Sequence, residues 1–446
     1  MLKRQNLHPY QNQIIELAKT KPNLALFLDM GLGKSVTIGT IIADSYPGKT
    51  LILAPLSVAK NVWSQEFAKW EHLSHLRVAK VLGSEKERTT ALHSESDIYV
   101  MNNENMVWLS EQDHPHFDYL VIDESSRWKD PSTKRFKALK PILRSFTRRI
   151  IASGTPTPNS LSEIWAQIAI CDLGERLETS LTKFRTLYLE PDQKNRHTHV
   201  VYSWKLKPGA ESNIRSKIKD IAFSMSAEDY LTLPSKTIVD HSIELDTKAM
   251  QAYKQLKRDM AVEIQGQTVT AVSAAALTNK LLQATSGFLY AETDTMTVSA
   301  QMLHSNKIDY LDDLLSEGTP SLIFYHFKDS LKRLQERFPE ARVLDDQSIL
   351  KWQQGTLKQL LVHPMSGGIG VNLQNNHACT TNVIWYDLPW SSELYEQGNA
   401  RVHRQGQTQP VVIHHLLAKD TIDSHVLQVL NKKITLQDAL LDSLSV

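Results

Sequence analysis

The sequence predicts an α/β protein of two parallel-sheet domains in tandem, separated by a mostly helical insertion. Three observations carry this expectation. Short apolar runs alternate with helical patterns through the first third of the chain, at 24–28, 50–54, 77–82, 97–101, 119–123 and 148–153. The same rhythm returns at 321–327, 342–345, 359–363, 382–387 and 411–416. Between them the pattern changes to longer stretches, such as 247–264 and 272–289, whose apolar residues recur at helical spacing. Strands buried on both faces read as continuous apolar runs, and their alternation with helices leads to a parallel sheet covered on both sides. The expected boundaries are 1–160, 161–307 and 308–446. Within the middle region, 190–204 reads as a polar loop and 292–299 as a turn or small hairpin.

A chain of 446 residues is too long for one ordinary core and fits two or three domains. With 50 basic and 49 acidic residues the net charge is +1, so there is no global pull towards nucleic acid or an anionic membrane, and any polyanion site is local. Cys171 and Cys379 stand alone without metal-ligand spacing, which excludes a disulfide framework and a cysteine-rich zinc module and leaves two small buried thiols. No apolar segment follows the charged start, and none approaches the roughly 20 residues needed to span a bilayer. The expected compartment is the reduced cytoplasm, with no membrane partner.

The first strand runs into Asp29-Met-Gly31-Leu-Gly33-Lys34-Ser35. Glycines turn backbone N–H groups inward, a helix N-terminus adds partial positive charge, Lys34 neutralises outer phosphates and Ser35 can ligate Mg2+. The strict phosphate-loop pattern has a further glycine where this chain has Leu28, so an ordinary strand-to-helix turn stays open at this point. The run 119–122 then ends in Asp123-Glu124. Asp123 is placed to hold Mg2+, and Glu124 to take a proton from an attacking water; the plainer alternative is a solvated helix start. Far downstream, Gln397-Gly-Asn-Ala-Arg401-Val-His-Arg404-Gln-Gly-Gln is read as helical, with Arg401 and Arg404 on one face. Such guanidinium groups stabilise charge on a transferring phosphoryl group, or else make surface ion pairs.

Taken in order, these segments resemble superfamily two helicases and translocases, most closely the Swi/Snf-type ATPases and their compact bacterial and phage relatives. Leu7-His-Pro-Tyr-Gln11 resembles the family's glutamine motif, 29–35 motif I, Leu53-Ala-Pro55-Leu-Ser57 motif Ia, and Asp123 to Asp130 motif II. Ser153-Gly-Thr-Pro156 resembles motif III, 322–327 motif IV, Ser366-Gly-Gly-Ile-Gly370-Val-Asn372-Leu-Gln motif V, 397–407 motif VI, and 419–423 the family's last turn. Ser126 departs from the histidine common in motif II.

The resemblance implies two RecA-like domains that use ATP with Mg2+ and move on DNA, taken as double-stranded. It implies that Gln11, Gly31, Gly33, Lys34, Ser35 and Gly370 bind the nucleotide, with Ser35 and Asp123 on the metal. Lys34, Asp123, Glu124, Gln397, Arg401 and Arg404 serve hydrolysis. Backbone phosphates are assigned to Pro55, Ser57, Lys60, Asn103, Arg127, Lys129, His326, Ser366 and Asn372, each of which also suits a satisfied turn or cap. Trp390 reads as a buried anchor rather than a base-stacking residue. Other readings are an RNA-directed helicase, a slow ATP-gated clamp with a protein partner on the helical insertion, and a small-molecule kinase, which leaves the paired arginines unexplained.

Overall fold

The computed structural model describes the chain except residues 46, 155, 158–160, 195–200, 226–229, 231–232, 266–270, 293–297, 366–371, 376, 378–380 and 432–446. Two compact units divide between Leu231 and Thr232.

The first unit contains β1 (Asn23–Leu28), β2 (Thr50–Ala54), β3 (Val78–Val81), β4 (Ile98–Asn102), β5 (Tyr119–Asp123) and β6 (Arg148–Ala152), then β7 (Leu189–Lys194), β8 (Val201–Leu206) and β9 (Ala222–Met225). Seven of these form one sheet in the order β3-β4-β2-β5-β6-β1-β9, with every pairing parallel. Both faces are covered, which is why the central strands β1, β2 and β5 are largely apolar. Leu24, Leu26 and Leu28 pack on one side with α1 (Pro9–Thr20), α2 (Lys34–Asp44) and α3 (Leu56–Lys69), while Ala25 and Phe27 face a second core that includes helix Ile164–Asp172. In α1 the buried Tyr10, Ile14, Ile15 and Ala18 repeat at helical spacing and form the covering stripe.

The second unit contains β10 (Lys236–Ile243), β11 (Phe288–Glu292), β12 (Val298–Met302), β13 (Ser321–Phe324), β14 (Arg342–Val343), β15 (Gln359–Val362), β16 (Thr381–Trp385) and β17 (Val411–Ala418). Its sheet has the order β10-β17-β16-β13-β15-β14, again all parallel. Leu322 and Phe324 face one core and Ile323 and Tyr325 the other.

The eleven strands expected from apolar runs all form, with ends moved by a few residues. The middle region departs from its expected character. Residues 161–307 are shared between the units: helices Ile164–Asp172, Leu181–Tyr188 and Ala210–Ile218 belong with the first, and helices Thr247–Gln265 and Ala271–Thr285 with the second. Each unit also takes an edge strand from this stretch, β9 beside β1 and β10 beside β17. Neither edge strand has the continuous apolar run of a central one, because an edge leaves much of the strand exposed. The expected loop 190–204 holds the antiparallel pair β7 and β8, irregular around Pro191, which a regular ladder excludes. Most of the expected turn or small hairpin at 292–299 lies outside the described residues; β11 and β12 on either side of it pair antiparallel. Cys171 is buried; Cys379 lies outside the described residues.

Candidate active site

In the first sheet β5, β6 and β1 are neighbours, so the residues that follow them gather at one edge, where open parallel sheets bind ligands. After β1 the chain turns through Gly31 (φ 89°) and Gly33 (φ 66°), a backbone region costly for other residues, and enters α2 at Lys34. A Cβ on Gly33 would lie 2.4 Å from Gln11 Nε2 and would displace that amide, while the positive φ itself favours glycine. Lys34 Nζ donates to the carbonyl of Leu28 at 2.7 Å and lies 3.5 Å from that of Asp29. Gln11 braces the loop: its Oε1 accepts from His8 N at 2.7 Å, and its Nε2 donates to the carbonyls of Leu32 and Gly33, both at 3.4 Å. The neighbouring Tyr10 hydroxyl, whose pKa burial pushes up to about 12, also donates to Leu32 O.

At the end of β5 both carboxylates are buried. Asp123 Oδ1 accepts from Glu124 N and Oδ2 from Trp63 Nε1, each at 3.1 Å. Glu124 takes a left-handed backbone conformation (φ 53°), rare for a glutamate and typical of strain held at functional sites. Its carboxylate accepts from the Ser153 hydroxyl, yet Oε2 is buried with no hydrogen-bond partner among the described residues. Burial raises the pKa of both carboxyls, and the Lys34 ammonium acts in the opposite direction. Gly154, just after β6, brings its backbone close enough that a Cβ there would stand 3.6 Å from Lys34 Nζ.

The residues fit a nucleoside triphosphate with a divalent cation: a glycine loop at a helix start, an ammonium, a half-exposed hydroxyl at Ser35 and a buried carboxylate oxygen that lacks a donor. Ser35 and Asp123 would hold Mg2+, which when bound neutralises phosphate charge.

Three residues outside the assigned set support this site. Trp63 holds Asp123, Ser153 holds Glu124, and the buried Gln167 accepts from Ser125 Oγ at 2.8 Å while donating to Pro156 O at 2.6 Å. A lone glutamine in the apolar helix Ile164–Asp172 was the available signal for the last.

In the second unit the arginine segment differs from expectation. The helix is Ser392–Asn399, and Arg401 and Arg404 lie in the turns that follow it rather than on its face. The helix stops because Asn399 Oδ1 is held by Trp385 Nε1 at 3.0 Å and the chain then bonds to the preceding segment: Leu373 N donates to Arg401 O at 3.0 Å, and Gln374 Nε2 to Arg404 O at 2.9 Å. Motifs V and VI are thereby stitched together. Gln397 is buried and donates to Glu393 at 3.1 Å. Ser366 and Gly370 lie outside the described residues, and Asn372 is exposed, its Nδ2 donating to Gln374 Oε1 at 2.8 Å.

Of the residues assigned to nucleic acid, Asn103 is corrected. It is 0% exposed and accepts from Trp128 Nε1 at 3.1 Å, because a buried indole needs an acceptor; it braces the turn after Glu124 instead of facing solvent. Pro55 caps the start of α3, with Ser57 and the exposed Lys60 in its first turns. Arg127 is exposed beyond Glu124, and Lys129 pairs with Glu163 at 2.9 Å. His326 is half-buried, its backbone N donating to Asp387 at 2.9 Å and its ring stacked on His363. Trp390 is partly buried against the second unit's core, as expected of an anchor.

Known proteins resemble this chain over most of its length. The SNF2-related domain model matches residues 10–287, more than half of the chain. A putative protein p41 of Acyrthosiphon pisum secondary endosymbiont phage 1 is 32% identical, with 98% of each chain covered. An uncharacterized ATP-dependent helicase of Mycoplasma genitalium is 24% identical over 91% of this chain and 39% of its own length. A SWI/SNF-related regulator of chromatin, subfamily A-like protein 1, of Xenopus tropicalis is 26% identical over 96% of this chain and 44% of its own. The chain thus spans about two fifths of these two longer relatives. A solved Sulfolobus solfataricus SWI2/SNF2 ATPase core in complex with dsDNA is 23% identical, with a TM-score of 0.45 over 96% of this chain and 91% of that one. No helix among the described residues is long and apolar enough to cross a membrane. Motif order, family model and a full-length phage relative converge, and the chain belongs to the SNF2-related family.

Proposed function

We propose that the protein is an ATP-hydrolysing motor that moves on duplex DNA. The observation that carries the reading is the buried Glu124 Oε2, without a hydrogen-bond partner among the described residues, beside Lys34 and the glycine loop. A carboxylate so placed serves as the base for an attacking water, and the neighbouring Asp123 and Ser35 serve the metal. Gly31 and Gly33 offer backbone N–H groups to the phosphates, and Lys34 exchanges the carbonyls it now meets for phosphate oxygens. On this reading Arg401 and Arg404 serve hydrolysis, and loss of the γ-phosphate drives the motor cycle. Lys60, Arg127 and Lys129 meet backbone phosphates, which suits stepping on any sequence. The relatives named as chromatin regulators and as an ATP-dependent helicase support a nucleic-acid-driven motor. The reading places it in the cytoplasm of a bacterial or phage-infected cell.

The test is ATP hydrolysis with and without duplex DNA, single-stranded DNA and RNA, paired with triplex displacement and strand separation on DNA of one length. Stimulation by duplex with displacement supports a translocase. Preference for RNA moves the substrate, and no stimulation by any polymer leaves a clamp. Arg404→Ala is expected to bind ATP normally and hydrolyse it slowly; fast turnover by that variant counts against the arginine's role.

A further inference from the structure

Trp63 is fully buried in α3, six residues after Ser57. Its indole N–H donates to Asp123 Oδ2 at 3.1 Å, while Asp123 Oδ1 is held by Glu124 N. Each oxygen of the carboxylate assigned to the metal therefore has a fixed donor, and one donor comes from a different element. That element is α3, whose first turns carry Pro55, Ser57 and Lys60. The ring sits in a core with Val36, Ile38, Ala54 and Val58, and its centroid is 6.0 Å from that of Phe67, so it cannot swing without moving the helix. A buried indole needs some acceptor, and a backbone carbonyl would serve for packing alone. Use of Asp123 ties the helix to the site.

We propose that Trp63 is a positioning residue for the ATPase: it fixes the orientation of Asp123 and passes to it any displacement of α3 when the first turns of that helix engage a nucleic-acid backbone. The distance from Ser57 to Trp63 is about 9 Å along one rigid helix, short enough for it to move as a body. The inference rests on the ATPase reading above, and its test separates the two.

Two variants remove the N–H. Trp63→Phe keeps an aromatic ring, and benzothienylalanine at position 63 keeps the full ring shape. The first readout is the affinity of fluorescently labelled ADP with and without Mg2+, which is independent of turnover. The second is the ratio of duplex-stimulated to unstimulated hydrolysis. In both variants metal-free affinity stays within about twofold of wild type, and the gain on adding Mg2+ falls about tenfold, the worth of a hydrogen bond to a charged group. The stimulation ratio falls with it. An unchanged magnesium gain in the benzothienylalanine protein overturns the positioning role, even if Trp63→Phe is unstable or impaired. A lost magnesium gain with an intact stimulation ratio overturns the transmission. If the wild-type protein itself is not stimulated by duplex, the motor reading fails, and the magnesium arm still decides the role of Trp63.

Discussion

Just after β5, Glu124 keeps one oxygen buried and without a donor among the described residues, whereas the buried Asp387 and Asp423 of the second unit have donors on both oxygens. Asp387, after β16, accepts from Ser286 Oγ at 2.6 Å and from His326 N at 2.9 Å. Asp423 accepts from Thr285 Oγ1 at 3.0 Å and Ala418 N at 2.8 Å, and forms an ion pair with Lys307 at 2.6 Å, both side chains being nearly inaccessible. Taking a carboxylate out of water costs several kcal/mol unless bonds replace the lost hydration. At Asp387 and Asp423 the fold meets that need with its own side chains and backbone, and both groups are architectural. At Glu124 the fold leaves one oxygen without a protein donor among the described residues, beside the glycine loop, which supports the reading of that group as part of the proposed chemistry. Lys307 and Thr285 come from the middle of the chain, so Asp423 also fastens that region to the second unit.

The strongest way to break this comparison is to neutralise both kinds of carboxylate. Glu124→Gln keeps the side chain's size and removes the proposed base, so turnover is expected to fall on the order of 10³-fold while the folded protein stays as stable or gains slightly. Steady-state hydrolysis with a thermal melt of the same sample checks both halves; turnover within about tenfold of wild type would remove Glu124 from the chemistry. Next in size is Lys307→Met, which strands Asp423 in the core and costs about 3–5 kcal/mol of stability in the second unit. A urea melt measures the loss. Adding Asp423→Leu restores much of it if the pair is architectural, since apolar replacement of a whole buried pair is often tolerated.

Most of the fold was legible because a parallel strand buried on both faces announces itself: 50–54 and 119–123 were predicted with their observed ends. What escaped was decided by tertiary context. The edge strand β10 is largely exposed along its length, and its partners on β17 lie 175 residues further along the chain, beyond any local pattern. The phosphate loop and both carboxylates were readable because their chemistry needs particular residues side by side in sequence. Trp63 and Gln167 were not, because each acts through a partner 60 or 42 residues away, and a buried indole or amide looks like core until its acceptor is known. Asn103 failed in the reverse way: a polar residue after a strand suggests a surface contact, and only the fold reveals the indole it serves. The arginine pair was identified on a helix that ends too soon, since the bonds that stop it reach back to Leu373 and Gln374.

The gentlest probe of the same comparison is pH. Along β10 and β17, His241 Nε2 meets His414 Nδ1 at 2.8 Å, His241 Nδ1 meets the Tyr310 hydroxyl, and His414 Nε2 faces Asn382. Next to them His415 Nδ1 meets Asp240 at 2.6 Å and its Nε2 the Tyr395 hydroxyl. Burial lowers the pKa of all three rings, that of His414 to about 4, and Asp240 opposes the shift at His415. Between the ordinary histidine value and pH 4 the unfolded chain holds protons that folded His414 refuses. Its contribution is therefore present above about pH 6.5 and is lost as pH falls through that window, by about 2 kcal/mol at pH 5. At Asp123 and Glu124 of the first unit the sign reverses, because burial raises their values: the folded form binds more protons, and their contribution to stability declines as pH rises above the ordinary carboxylate range, opposing His72, whose pKa burial lowers. Urea melts followed by hydrogen exchange in peptides from each unit, at pH 7.5 and pH 5, should show the second unit's midpoint falling on acidification while the first resists. His414→Gln should flatten the second response and leave the first alone. Parallel acid sensitivity of both units would mean that their buried titratable groups are not governed by the opposite environments described above.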